Sequence, residues 1–260
     1  MINKILQKLS ENWFNPFLTL FINFYKLPFK TAIKFPIYIY GCPVINDLSG
    51  TIELPKNVWR GMIRINKSND APSTIGQRFK LALRGSLIFK GWCRFGTGNF
   101  LCIEKGAKLI LGNNVRMSNN NVIAASNLIE FCSECLVGSN NQFFDYDFHY
   151  LVDLSTGRIK NTHKPITINE YTWIGNGCTI LKGSTLGMGC VLGSNSVFTE
   201  GFGTMDNCLF VGNPVRQVKT NVTQLKNLYA EGKVAESFLT DNKQFILIHD
   251  LGIIDFRKFF

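Results

Sequence analysis

The stretch ITINEYTWIGNGCTILKGSTLGMGCVLGSNSVF (166–198) carries a large apolar residue at every sixth position: Ile168, Ile174, Ile180, Leu186, Leu192 and Phe198. Four places after each stand Thr172, Cys178, Ser184, Cys190, Ser196 and Phe202, five of them small, and Gly follows the large residue at Gly175, Gly187 and Gly193. A period of six is neither the helical 3.6 nor the alternation of a lone strand. It describes a coil of short straight edges: the large residue fills the axis, a small one fits where the wall bends, and Gly or Asn turns the corner at low steric cost. Three edges close a coil of about 18 residues, and coils stack at strand spacing, about 4.8 Å, each bonding only to its neighbours.

Working upstream, Leu111, Met117, Ile123, Ile129 and Cys135 keep the period, and Leu83, Phe89, Phe95 and Leu101 form an earlier frame. The frames are out of phase from Leu101 to Leu111 and again from Cys135 to Ile168, which predicts that loops leave the coil between them. The polar, Gly-containing segment 151–164, with Asp153, Gly157, Arg158 and Lys160, suits such an excursion. Downstream of Gly212-Asn213-Pro214 the period stops, and helix-like stretches (Leu225, Leu228, Tyr229; then Phe245 to Phe260) suit a cover for the open β-edge of the last coil. The expected fold is therefore an all-β solenoid, divided into an N-terminal aromatic and basic extension (1–54), a β-helix (55–219) and a C-terminal helical cap (220–260).

Composition narrows the function. Apolar residues make up 45% and charged residues 18% of the 260, which excludes a disordered chain, and the net charge of +10 favours anionic partners. Charge alone points to nucleic acid and no motif joins it, so no nucleic-acid partner is expected. The eight cysteines read as reduced thiols of a cytoplasmic protein. Cys132 and Cys135 form a CxxC without a second pair or nearby His, so they read as packed side chains, and no metal is expected. GMGCVLG (187–193) lacks the dinucleotide-binding spacing, and in KGSTLG (182–187) the Lys precedes the glycine, unlike a P-loop. No stretch reaches the roughly 20 apolar residues of a membrane span. The first 40 residues mix Trp13, Phe14, Phe17, Phe21, Phe24, Tyr25, Phe29 and Phe35 with Lys4, Lys8, Lys26, Lys30 and Lys34. Such a segment suits peripheral contact at the inner face of a membrane or a cap on the end of the β-stack, and the sequence leaves both open.

The section from Pro165 through YTWIGNGCTILKGSTLGMGCVLGSNSVFTE (171–200), closing with VGNPVRQVK (211–219), resembles the C-terminal signature of the hexapeptide-repeat acyltransferases, and within them the sugar and antibiotic O-acetyltransferases. The likeness is close over 140–219 and holds in pattern from about 83. It implies a left-handed parallel β-helix, a homotrimer, and acetyl-CoA as acyl donor in the groove between neighbouring prisms. It implies a catalytic His 24 residues ahead of Trp173, which is His149 in DYDFHY (145–150). A neutral imidazole there would take the proton of an acceptor hydroxyl as it attacks the thioester. Asp147 or Asp145 would orient that ring. For the donor, the resemblance implies Trp173 beside the reactive end, Asn176, Ser194 and Thr199 along the pantetheine, and Arg216 and Lys219 for the phosphates. Asn176, Ser194 and Gly212 are spaced by 18, as a stacked groove requires. One departure is Glu200, where relatives often carry Lys.

The expected activity is O-acetylation of a sugar or glycan hydroxyl, in keeping with surface-polysaccharide biosynthesis. N-acetylation of an amino sugar or a non-catalytic scaffold are the alternatives. A carbonic-anhydrase-like metal centre needs three converging histidines, and His149, His163 and His249 share no coil register.

Overall fold

The computed structural model describes residues 13–67, 77–202, 205–226, 228–241 and 245–247. Residues 1–12 of the expected extension, His249 and the tail beyond 247 lie outside them. Among the described residues, twenty-two strands fall into three sheets that the chain visits in rotation. The first holds β1 (Ile37–Ile39), β4 (Ile63–Ile65), β7 (Cys93–Phe95), β10 (Val115–Met117), β13 (Leu136–Val137), β16 (Trp173–Ile174), β19 (Val191–Leu192), β21 (Cys208–Val211) and β22 (Arg216–Thr220). The second holds β2 (Val44–Asp47), β5 (Lys80–Leu83), β8 (Phe100–Ile103), β11 (Val122–Ala125), β14 (Gln142–Phe144), β17 (Thr179–Leu181) and β20 (Val197–Phe198). The third holds β3 (Thr51–Glu53), β6 (Ser86–Phe89), β9 (Lys108–Leu111), β12 (Leu128–Phe131), β15 (Ile166–Ile168) and β18 (Thr185–Leu186). All pairs are parallel except β21 with β22. A chain returning to each sheet at every third strand is a three-walled coil.

The hexad residues fill its axis. Ile168, Ile174, Ile180, Leu186 and Leu192 are fully buried, and the corner residues Thr172, Cys178, Ser184, Cys190 and Ser196 are fully buried with them. Burying each large side chain contributes about 1.5–3 kcal/mol, repeated coil after coil.

Coil length is not uniform. Trp173 pairs with Val191 and Val191 with Leu209, a step of 18. Upstream, Leu101 pairs with Ile123, a step of 22, and Ile123 with Phe143, a step of 20. The phase change from Leu101 to Leu111 is therefore no excursion. β8 and β9 are joined by a four-residue corner, and longer walls absorb the extra residues. The second phase change is an excursion: Phe143 pairs with Ile180, and the chain between β14 and β15 leaves the walls. Within it Val152 and Ile159 form an isolated antiparallel bridge.

Strand pairing begins at Ile37, well before residue 55, so the coil takes in much of the segment assigned to the extension. Ahead of it, α1 (Pro16–Lys26), capped by the Asn15 side chain on the Leu18 N–H, and the short α2 (Phe29–Ala32) close the first coil. At the other end the edge of the first sheet is covered by β22 rather than by a helix. The helix of the tail is α3 (Leu228–Asp241).

Candidate functional site

One corner, between the first and second walls, carries two parallel ladders. The inner one is asparagine. Asn99, Asn121 and Asn141 are fully buried, and each side-chain oxygen accepts the backbone N–H of the next coil: Asn121 at 3.0 Å, Asn141 at 2.9 Å and Cys178 at 2.7 Å. The residue before each inner position turns the corner with positive φ, as at Gly98 (71°), Asn120 (60°), Asn140 (61°), Gly177 (69°) and Asn195 (59°). Gly and Asn tolerate that conformation best.

The outer ladder runs through Asn119, Ser139, Asn176 and Ser194. The Asn119 N–H donates to Ser139 Oγ (3.3 Å), the Ser139 N–H to Asn176 Oδ1 (2.7 Å) and the Asn176 N–H to Ser194 Oγ (3.1 Å). Asn176 and Ser194 thus stack on one exposed face, and the step from Ser139 to Asn176 spans the excursion. A Cβ on Gly175 would lie 2.7 Å from the Ser194 nitrogen, so only Gly lets these coils approach so closely. Trp173 lies on β16, three residues before Asn176, with its side chain 39% exposed. Thr199 is exposed just beyond β20. Arg216 and Lys219 are exposed on β22, opposite Val211 and Leu209. Glu200 pairs with Lys164 of the excursion at 2.5 Å.

His149 is exposed in the turn that follows β14. Neither carboxylate expected to orient it does so. Asp145 is fully buried and accepts the backbone N–H groups of Ser126 (2.7 Å) and Asn127 (2.8 Å), which ties the start of the excursion to the coil below. Burial nonetheless pushes its carboxyl above the ordinary range, against the pull of those backbone bonds. Asp147 pairs with Lys182, which reaches across from the far side of the excursion. The short DYDFHY segment holds two acids, and the nearest unsatisfied donors, not the sequence neighbour, claimed them.

The aromatic surroundings of His149 were not read from the sequence. Phe144 packs on Phe148 (5.3 Å between centroids), Tyr146 packs on Phe148 (4.8 Å), and His163 stacks on Tyr146 at 5.7 Å with rings 5° from parallel. His163 is half-buried there and contacts Asn161 through Nδ1 (3.1 Å). The alternation of Phe144, Tyr146 and Phe148 was the available signal: it puts three rings on one side of the segment. Phe148, Tyr150, Leu151 and Leu154 stay exposed.

Cys132 and Cys135 are free thiols, and burial pushes Cys135 up to about 12. Among the described residues no three His, Cys, Asp or Glu side chains converge as a metal site would require.

Residues 165–200 match the family model described as bacterial transferase hexapeptide (six repeats). The chain is 31% identical over 170 residues to a Mycobacterium tuberculosis protein named "Probable acetyltransferase", covering 64% of this chain and 52% of that one. It is 27% identical over 128 residues to the polysialic acid O-acetyltransferase of Escherichia coli O1:K1, covering 49% and 41%. The chain thus spans about half the length of these relatives. The crystal structure of the polySia-specific acetyltransferase NeuO aligns with a TM-score of 0.45 at 18% identity, over 81% of this chain and 94% of that one.

Proposed function

We propose that this chain, whose residues 165–200 match the bacterial transferase hexapeptide model, is a member of that family and an acetyl-CoA-dependent O-acetyltransferase acting on a sugar or glycan hydroxyl. The observation that carries the reading is the outer ladder. It presents Asn176 and Ser194 in register beside exposed Trp173, as an extended acyl carrier needs. The coil winds left-handed, and three copies assemble so that each groove is shared. The exposed apolar residues of the excursion, Phe148, Tyr150, Leu151 and Leu154, suit cover by a neighbouring copy.

In this reading the pantetheine lies along Asn176, Ser194 and Thr199, with Trp173 at the thioester end. Arg216 and Lys219 engage the CoA phosphates as exposed cations. The neutral His149 imidazole takes the acceptor hydroxyl proton while the oxygen attacks the thioester carbonyl. The C–S bond then breaks, and the leaving sulfur recovers the proton from the imidazolium. Asp147 acts one step removed: its pair with Lys182 fixes the turn that presents His149. The rings of Tyr146 and Phe148 offer apolar faces to an acceptor sugar.

The test is thiol release from acetyl-CoA over a panel of sugars, glycans and amino sugars. His149→Ala should lower transfer by about 10²–10⁴ with the fold retained by circular dichroism. Undiminished transfer by that variant would overturn the mechanism. Transfer confined to amines would replace O-acetylation by N-acetylation, and no turnover with any acceptor would favour a scaffold. Lys182→Met should lower kcat by a smaller factor and leave KM for acetyl-CoA unchanged.

A further inference from the structure

The helix that closes the first coil turns two polar side chains inward and a row of aromatic ones outward. A helix packed on a domain ordinarily turns its apolar side inward. On α1 the buried inward side carries Ile22, which joins the core, flanked by Thr19 and Asn23, and these two hydrogen-bond the free edge of β1. Asn23 Nδ2 donates to the Ile37 carbonyl (2.7 Å), Asn23 Oδ1 accepts the Ile37 N–H (3.2 Å), and Thr19 Oγ1 accepts the Ile39 N–H (3.0 Å). Polar side chains were needed there, because a parallel wall ends in unpaired backbone groups.

The outward side is left to Phe17, Leu20, Phe21 and Phe24, at the i, i+3, i+4 and i+7 spacing of one helix face, and all four are exposed. Phe17 is 79% exposed, and Tyr25, Phe29, Ile33 and Trp59 extend the surface. Beneath it a cavity of about 480 Å³, lined by Phe14, Phe17, Leu20, Phe35 and Tyr38, has Arg60 at its wall. A large exposed apolar patch marks a docking surface.

The charges choose the occupant. From Trp13 to Asn46 and again from Leu54 to Asn66 the chain has no acidic residue, while Lys30, Lys34, Lys56 and Arg60 are exposed there. A second copy set end to end would oppose these cations to their own kind. An anionic bilayer surface would neutralise them and take the aromatic side chains into its interface. The helix is also too short to span, since no helix among the described residues is long and apolar enough to cross a membrane.

We propose that the outward face of α1, with Phe29, Ile33 and Trp59, docks the end of the coil on an anionic lipid bilayer, Lys30, Lys34 and Arg60 meeting the headgroups. The inference is independent of the acetyltransferase reading.

The test is flotation of the full chain with vesicles of phosphatidylglycerol and, separately, of phosphatidylcholine. The chain should bind the anionic vesicles at least about tenfold more tightly, and added salt should weaken the binding. The variant Phe17→Ser/Leu20→Ser/Phe21→Ser should lower binding to anionic vesicles about tenfold or more with unchanged thermal unfolding, since all three side chains are exposed. Lys30→Glu/Lys34→Glu keeps the aromatic face and should erase the lipid preference, which covers the case of a misfolded serine variant. A chain that stays unbound with phosphatidylglycerol, or a folded serine variant that binds equally well, overturns the proposal. So does end-to-end pairing in lipid-free solution that the serine variant abolishes, because a second copy would then be the occupant.

Discussion

The coils before the excursion and those after it solve the same corner differently. Before it, at coil steps of 22 and 20, the inner corner position is Asn99, Asn121 and Asn141, each spending its side chain on the next coil's backbone. After it, at a step of 18, the position passes to Cys178 and Ser196, and the asparagine ladder ends on the Cys178 N–H. The thicker coils enclose Phe79, Phe89, Phe95, Phe131 and Phe143, whereas the thin ones are filled by Ile, Leu and, toward the end, Phe198 and Phe210. Thin coils with small corners bring Asn176 and Ser194 to the surface in tight register, where the proposed donor groove lies. The difference teaches that one half is built to be a rigid pillar and the other to present backbone and small polar groups to a ligand.

The strongest way to break this comparison is Asn121→Ala. It orphans the Asn141 N–H and removes a donor to the Ser118 carbonyl inside a buried corner, so it should lower stability by about 2–3 kcal/mol in urea unfolding. The matching change in the thin half, Ser196→Ala, leaves the Gly212 N–H without its 2.9 Å acceptor nearer the end of the coil and should cost about 1 kcal/mol. Equal losses at the two positions would remove the distinction. The smallest effect concerns the joint between the halves. Lys226 donates to the Glu134 carbonyl (2.6 Å), below the excursion, and sits over the Tyr171 ring (4.2 Å), above it. Burial lowers its pKa to about 8. A lysine whose folded value lies below its unfolded one binds fewer protons when native, so stability should rise as pH climbs from about 8 toward the ordinary lysine range near 10.4. Lys226→Met should flatten that rise in thermal melts, and an unchanged slope would take the joint out of the account.

The residues that specify the walls were legible because the signal is local. Whether a side chain points to the axis depends on its place within six residues, so Ile168 through Phe198 could be placed from the sequence, and Asn176 above Ser194 with them. The inner ladder was missed although Asn99, Asn121 and Asn141 stand in plain view, because their spacing of 22 and 20 does not match the repeat. The partners of Asp145 and Asp147 were misread for a related reason: Ser126 and Lys182 are distant in the chain and are brought near only by stacking and by the return of the excursion.

What the sequence alone determined is the three-walled repeat, since it follows from short-range periodicity, while the role of His149 ahead of Trp173 rests on the family resemblance. Only the tertiary structure decided the length of each coil, the owner of each carboxylate and the direction in which α1 turns its aromatic face. Those depend on which backbone groups the stacked coils leave unpaired. Thr19 and Asn23 face inward because the open edge of β1 needed hydrogen-bond partners, and the phenylalanines were left to face out.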